Sequence, residues 1–247
     1  ALEVLTRSAG VAPPKVSPLR AVNLVLRRAI VSDVAVGERS EGRYLFAVPW
    51  RDRTIVGTGY GPETTPFSQL ASEFLAEATR AFWWAGLDRA DVALVHEGLV
   101  PGQGGAPATR TRLIDHDVED GLPGLLTIVA AKFTTARRVA ESAVDLMMER
   151  LRLPPVPSRT ALVPLPEAHL LEGPLRDRAR NVVQREMAFS LADVVLRRLD
   201  LGSAGEPAPE DIDTVAPILA HEFGWDMARL ASERAAVAAF FAQRRLE

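Results

Sequence analysis

The most regular hydrophobic pattern in the chain is a short apolar run followed by a long amphipathic segment, between residues 121 and 151. A Gly-Leu-Pro-Gly turn comes first, and the apolar run Leu125–Val129 is long enough for one buried strand. Two alanines and Lys132 follow, and apolar residues then recur mostly at three- and four-residue steps, which predicts a helix. These apolar residues are Phe133, Ala136, Ala140, Ala143, Val144, Met147 and Leu151. Thr134 or Thr135 is placed to cap the first turn of this helix.

Shorter apolar runs separated by turns precede this segment. A polar turn is predicted at Gly37–Gly42 and a helix at Pro66–Ala85. Strands are predicted at Ala21–Leu26, Tyr44–Trp50, Thr54–Thr58, Val92–Val100 and Thr109–Asp115, the second and third forming a hairpin. Because these strands do not alternate regularly with helices, the pattern favours an α+β fold with a mostly antiparallel sheet and packed helices.

The pattern changes after Leu153, where prolines interrupt the chain. Helices are predicted beyond them at Pro174–Ala188, Leu191–Leu199, Pro209–Phe223 and Asp226–Arg245. Ser190 and Asp226 are placed to cap two of these helices at their start, and Gly202 and Gly224 are placed where two of the helices end. The sequence therefore predicts an α+β domain at residues 1–153 and a small all-α domain at residues 158–247.

Composition excludes several classes of function. The 247 residues carry a formal net charge of -3, which argues against nucleic acid as the main partner. There is no cysteine, so disulfides and thiolate metal sites are excluded, and four scattered histidines make a metal site an unfavoured interpretation. No apolar run approaches the length of a membrane span, and no signal peptide is visible.

One basic residue is a candidate for binding an anion on local grounds. Lys132 follows a predicted buried strand and precedes a predicted helix N-terminus, which concentrates positive potential at one point. The alternative is a lysine that extends its charge into solvent at the end of a strand. Arg110 and Arg112 are two residues apart on a predicted strand, and by themselves they indicate a solvated strand face.

His116 lies between Asp115 and Asp117 and is the one histidine with a suggestive neighbourhood. An Asp-His-Asp run supplies the residue types of a general base or of a metal site. Adjacent residues in a strand point to opposite faces, however, and aspartate enters turns readily. We therefore expect a turn with its charges in water.

The segment Ala130–Arg138 resembles a motif of FAD-dependent glycerol-3-phosphate dehydrogenases, in which two glycines, a lysine, an apolar residue and two threonines follow one another. Other stretches resemble that family in the same order along the chain. They are Phe46–Trp50 with Arg53–Thr58, then Thr109-Arg110, and then Arg185–Ala188 with Asp193–Arg198. The ordered set spans most of the chain.

This resemblance implies an enzyme that transfers a hydride from a secondary alcohol carbon to flavin. It implies that Lys132 is a catalytic and cofactor-binding residue that stabilises negative charge on the reduced ring, and that Ala131 and Thr134 lie at the cofactor. Arg110 matches the phosphate-binding arginine of the family, with Arg112 as a second candidate. Asn23 lies where the family often has a histidine, and the resemblance places it in the substrate site.

The chain also departs from the family. It has no G-x-G-x-x-G fingerprint, so we expect it to represent the C-terminal portion of a longer enzyme and to bind FAD poorly or not at all by itself. The resemblance then implies an N-terminal FAD domain as partner, a small phosphorylated alcohol as substrate, quinone as electron acceptor, and a place in the cytoplasm or at the cytoplasmic membrane face. Val100 replaces a second arginine of the family, and Ala130 and Ala131 replace the two glycines.

Two alternatives stay open at this point. One is a non-catalytic module that binds an anion or a protein, which the missing fingerprint favours. The other is a flavin-dependent relative that acts on another hydroxy acid or an amine, since Val100 removes a phosphate ligand and Asn23 cannot act as a general base at neutral pH.

Overall fold

The computed structural model describes Ser8, Gly10, residues 16–164 and residues 172–246. The strands are β1 Ser17–Leu26, β2 Val36–Ser40, β3 Arg43–Trp50, β4 Arg53–Pro62, β5 Val92–Gln103, β6 Ala106–Pro107, β7 Arg112–Asp115 and β8 Leu126–Val129. The α-helices are α1 Phe67–Ala81, α2 His116–Asp120, α3 Ala136–Arg150, α4 Leu175–Arg185, α5 Pro209–Phe223 and α6 Met227–Ala242. Short 3₁₀ turns at Trp83–Ala85, Arg89–Asp91 and Phe133–Thr135 and a π-helix at Asp193–Arg198 complete the described elements.

The predicted α+β fold with a mostly antiparallel sheet is confirmed. Within the described residues, six strands form one sheet in the order β2-β3-β4-β1-β5-β6, and β7 and β8 form a second, two-stranded sheet. The pairings of β2 with β3, β3 with β4, β5 with β6 and β7 with β8 are antiparallel. The predicted hairpin is present, because β3 pairs with β4 from Phe46↔Gly57 to Trp50↔Arg53.

One predicted turn is wrong. Most of Gly37–Gly42 belongs to strand β2, and the turn itself is confined to Glu41 and Gly42, both with positive φ. Polar residues occupy β2 because it is an edge strand, where side chains meet water and charges discourage further pairing. Gly37 leaves room for the partner strand, since a Cβ atom there would lie 2.9 Å from the ring of Phe46 and would displace it.

The chain forms two compact units, each built from separate stretches of sequence. Unit 1 contains Ala1–Arg20, Tyr60–Thr64 and Leu99–Leu165, and unit 2 contains Ala21–Gly59, Thr65–Gly98 and Pro166–Glu247. The predicted division into domains at 1–153 and 158–247 stays a prediction.

Strand β1 contributes to a hydrophobic core on each of its two faces in unit 2. Along β1, Val22, Leu24 and Leu26 belong to a core that includes Phe74 of α1, whereas Val25 belongs to a second core. That second core also contains the buried apolar residues of α4, α5 and α6 and of the π-helix. Because successive strand residues point to opposite faces, this alternation places helices on each side of the strand. Gly59 allows one of these contacts, since a Cβ atom there would lie 2.5 Å from Cγ of Phe74.

The helices after residue 172 agree closely with their predicted bounds. Asp226 caps α6 by accepting a hydrogen bond from the Arg229 amide at 2.7 Å, and Gly224 ends α5 in the left-handed region. The segment predicted as an ordinary helix at Leu191–Leu199 is instead a π-helix over Asp193–Arg198. Gly202 does not have the positive φ of a glycine that ends a helix. Its role is instead to leave space for a neighbour, since a Cβ atom there would lie 2.7 Å from the ring of Phe241.

Unit 1 contains the two-stranded sheet with α2 and α3. The predicted strand Thr109–Asp115 begins only at Arg112, whereas the predicted strand before Lys132 is present as β8. Helix α3 is present as predicted and follows the 3₁₀ turn. The predicted threonine cap is wrong, because Lys132 and Thr135, the residues before the turn and before the helix, accept no hydrogen bond from helix amides through their side chains. The Thr135 hydroxyl instead donates to the Lys132 carbonyl oxygen at 3.0 Å. No helix among the described residues is long and apolar enough to cross a membrane.

Candidate functional site

A pocket of about 490 Å³ lies in unit 1 beside the β5–β6 hairpin. The hairpin turns through Gly104 and Gly105, which both have positive φ. Gly102 lets two backbones approach, since a Cβ atom there would lie 2.4 Å from the Ser17 carbonyl oxygen. Ser17 lines the same pocket, although it is distant in sequence from the hairpin and carries no local signal.

Arg110 and Arg112 both line this pocket. Arg112 is the first residue of β7 and lies opposite Val129 of β8, while Arg110 precedes the strand in a bend. Both side chains are exposed, and within the described ranges Arg110 has no carboxylate or hydrogen-bond partner. Two guanidinium groups with their planar sets of donors suit a carboxylate or phosphate ligand.

Lys132 lies three residues beyond Val129, at the carboxyl end of β8 and at the start of the 3₁₀ turn that leads into α3. Lys132 and Thr134 are exposed, and the Ala131 amide donates to the Thr111 hydroxyl at 3.3 Å. The side chain of Phe133, between them, is 99% exposed. This segment therefore presents an amine, a hydroxyl and an aromatic ring to its surroundings.

Asn23 lies in unit 2, on β1. Its amide oxygen accepts a hydrogen bond from the Thr58 hydroxyl at 2.8 Å, which fixes the orientation of the side chain. Gly57 is needed beside it, since a Cβ atom there would lie 1.9 Å from the Asn23 oxygen. The role of Asn23 in a substrate site stays a prediction, as do the roles of the three basic residues.

The expectation for His116 is wrong, because its side chain is 1% exposed. Nδ1 lies 2.5 Å from Oδ2 of Asp120, and Nε2 lies 2.8 Å from Oγ1 of Thr127 on β8. A visible signal was the four-residue spacing of His116 and Asp120, which places both on one face of a helical turn. The histidine thus joins α2 to β8 through buried polar contacts. No cluster of three metal-binding side chains occurs among the described residues.

Comparison with known proteins finds distant similarity to one group of enzymes. No family model matches the chain. It is 29% identical over 142 residues to a glycerol-3-phosphate dehydrogenase of Synechocystis and 30% identical over 153 residues to a mitochondrial one of Arabidopsis thaliana. About half of the chain is distantly homologous to glycerol-3-phosphate dehydrogenases. The matched residues are 52% and 58% of this chain but only 26% and 24% of those relatives.

A solved structure has a similar fold over a longer stretch of the chain. The structure of a glycerol-3-phosphate dehydrogenase from Bacillus halodurans, complexed with FAD, matches with a TM-score of 0.66 at 17% identity. The match covers 92% of this chain and 57% of that one. At this identity the match establishes the fold alone.

Proposed function

We propose that this chain supplies the substrate-binding part of an FAD-dependent oxidoreductase that oxidises a secondary alcohol carrying an anionic group. The observation that carries the proposal is the convergence of Arg110 and Arg112 on one pocket in a chain homologous to glycerol-3-phosphate dehydrogenases. A glycerol-phosphate-like substrate has the charge and size for such a pocket, and the two guanidinium groups bind and orient its phosphate.

The residues near Lys132 suit a flavin ring. An exposed amine at the end of a strand, next to a helical N-terminus, is a preorganised donor for negative charge. When bound, FAD would accept the hydride, which carries both electrons of the alcohol oxidation. In this arrangement Lys132 would donate a hydrogen bond to the negative charge of the reduced flavin ring, and Ala131 and Thr134 would line the same flavin site. Asn23 donates or accepts a hydrogen bond at a substrate hydroxyl.

The proposal is tested by purifying the complete gene product and following the absorbance of its bound flavin. Bound flavin should lose its yellow absorbance when glycerol 3-phosphate is added without oxygen. Arg110→Ala should raise KM about ten- to hundredfold, because one charge-assisted contact is lost. Lys132→Ala should lower the rate of flavin reduction about a hundredfold or more. Arg159→Ala, an exposed arginine elsewhere in unit 1, is the control and should change neither value.

Two other results would replace this proposal. A flavoprotein that stays oxidised with glycerol 3-phosphate but is reduced by another hydroxy acid or an amine would follow from the departures at Val100 and Asn23. A gene product without flavin that binds phosphate through Arg110 would instead be a non-catalytic anion-binding module, which the missing G-x-G-x-x-G fingerprint favours.

A further inference from the structure

A series of polar contacts runs through unit 2 from helix α1 to strand β1. Oε2 of Glu77, on α1, lies 2.6 Å from Nη2 of Arg43, the first residue of β3. Nη1 of Arg43 donates to the Thr58 carbonyl oxygen at 2.6 Å. The Thr58 hydroxyl in turn donates to Oδ1 of Asn23 at 2.8 Å. We call this series, which joins one helix to three strands, the Glu77–Asn23 network.

The buried end of the network is costly to maintain. Glu77 is 8% exposed, and its second carboxylate oxygen, Oε1, has no hydrogen-bond partner among the described residues. A carboxylate held away from water with one oxygen unpaired loses hydration that a single ion pair does not fully replace. Apolar side chains at the two positions of such a pair often stabilise a protein as well or better. This cost indicates that the network acts on the orientation of its other members.

The opposite end of the network is accessible. Along β1, Val22 and Leu24 enter the first core, so Asn23 between them faces the other side of the sheet. A Cβ atom at Gly57 would point at the Asn23 side chain, and Gly57 pairs with Phe46, so all three lie on this face. Asn23 is half-buried and Phe46 is 48% exposed. This part of the face therefore has room for a ligand.

Thr58 determines which atoms of Asn23 are left for a ligand. Oδ1 accepts the Thr58 hydroxyl and lies against the backbone of Gly57, so the NH2 group is the free part of the side chain. An amide NH2 group only donates hydrogen bonds. Asn23 held in this way binds an oxygen that accepts, such as that of an alcohol, a ketone or a carboxylate, and has no acceptor for a protonated amine.

We propose that Glu77, Arg43 and Thr58 are positioning residues that hold the Asn23 NH2 group toward the oxygen on the carbon that is oxidised. This inference rests on the proposed function, in which Asn23 contacts a substrate hydroxyl, and it adds the direction of the hydrogen bond. Both an alcohol oxygen and the ketone oxygen formed from it accept a hydrogen bond, so one donor serves substrate and product. The same donor selects alcohols against amines, whose protonated nitrogen can only donate.

A double-mutant cycle in the complete gene product tests the positioning. Thr58→Val removes the hydroxyl and should lower kcat/KM for glycerol 3-phosphate about tenfold, whereas Thr58→Ser keeps a hydroxyl and should restore most of the activity. In an Asn23→Ala background, Thr58→Val should cause no further loss, because the group that it orients is gone. Equal losses in the two backgrounds would mean that Thr58 acts only on folding or packing, and would overturn the inference.

A neutral replacement tests the buried end of the network. Arg43→Met alone would leave Glu77 charged and unpaired, so it is combined with Glu77→Gln. The combined variant should lose about tenfold in kcat/KM, and nothing further when Asn23→Ala is added. Arg51→Met with Asp200→Asn replaces an exposed ion pair of unit 2 and should leave kcat/KM unchanged. A buried-pair variant as active as this control would overturn the roles of both residues.

The direction of the hydrogen bond is tested without turnover, by equilibrium dialysis of dihydroxyacetone phosphate, the ketone of glycerol 3-phosphate. Asn23→Ala should raise Kd about tenfold. Asn23→Asp keeps an acceptor for the Thr58 hydroxyl but replaces the NH2 group by an oxygen, and should raise Kd about a hundredfold. Inorganic phosphate should bind the parent and Asn23→Asp within about threefold, which separates the lost donor from charge repulsion. Unchanged binding of the ketone by Asn23→Asp would overturn the assignment of the donor.

The outcomes separate this inference from the proposed function. A dehydrogenase in which the effects of Thr58→Val and Asn23→Ala on kcat/KM are additive would support the function and overturn the positioning. A protein that glycerol 3-phosphate does not reduce, but in which the same two variants are coupled in the Kd of dihydroxyacetone phosphate, would contradict the dehydrogenase and support the positioning. A protein that binds neither compound would overturn both.

Discussion

The sheet of unit 2 and the two-stranded sheet of unit 1 treat the same kind of apolar pattern in opposite ways. In unit 2, alternate residues of β1 enter two separate cores, and helices cover both. In unit 1, α3 buries Ala143 but leaves the apolar side chains of Val144 and Met147 exposed. Helices thus cover both faces of β1 in unit 2, whereas α3 of unit 1 leaves part of its apolar surface in contact with water.

The largest expected difference between the regions comes from removing one phenylalanine in each. Phe74→Ala leaves a cavity in the first core of unit 2 and should cost about 3–5 kcal/mol of unfolding free energy. Phe133→Ala removes a fully exposed ring and should change the free energy of unfolding of the 247-residue chain by less than about 0.5 kcal/mol. Urea titrations followed by circular dichroism measure both, and comparable losses would contradict the difference in packing.

The buried histidine tests how unit 1 compensates for its thin layer. His116→Ala leaves Asp120 and the buried Thr127 hydroxyl without their partner, and should cost about 1–3 kcal/mol. Faster hydrogen exchange in β8 should accompany this loss, because His116 joins α2 to that strand. His221→Ala replaces an exposed histidine of unit 2 and serves as the control. If both variants unfold like the parent chain, the polar contacts do not stabilise the layer.

The two regions also differ at the first turns of their helices. Asp226→Ala removes the hydrogen bond to the Arg229 amide at the start of α6 and should cost about 1 kcal/mol. Thr135→Ala at the start of α3 should cost less than about 0.5 kcal/mol, since its hydroxyl caps no helix amide. Thermal unfolding of the two variants provides the comparison, and a larger effect at Thr135 would show that the cap assignments are reversed.

The smallest expected effect is a dependence on pH within unit 2. The hydrogen bond from Arg28 holds the pKa of the Asp91 carboxyl below its usual range, and Asp91 in turn raises the pKa of Arg28. The carboxylate therefore contributes stability above the unfolded pKa of about 4, and this contribution is lost as pH falls through the lower folded pKa.

Asp91→Asn measures that contribution. The variant should be less stable than the parent chain by less than about 1 kcal/mol at pH 7, because the pair is partly exposed. The difference should shrink as the pH of the urea titration is lowered below about 4, where the parent carboxyl also becomes neutral. A difference that stays constant down to pH 2 would mean that the asparagine acts through packing or hydrogen bonding and not through charge.

Periodicity was enough to predict most elements of this protein. The α3 segment, the strand before Lys132, the β3–β4 hairpin and the helices after residue 172 all follow from spacing, turn residues and caps that act over a few residues. The predicted α+β class is confirmed for the same reason, since hydrophobic period and element order are local properties. The resemblance around Lys132 also lies in consecutive residues, and the homology to glycerol-3-phosphate dehydrogenases agrees with it.

Tertiary structure alone decided which apolar faces became core. The residues predicted on one side of α3 look alike in sequence, yet only Ala143 among them is buried, because burial depends on which other elements are present to cover a face. In the same way, His116 became a buried contact only through Thr127, and Ser17 reached the arginine pocket only through the approach of distant backbones at Gly102. The hydrophobic pattern of one segment specifies whether that segment forms a helix or a strand. A site requires several segments, which only tertiary packing brings together.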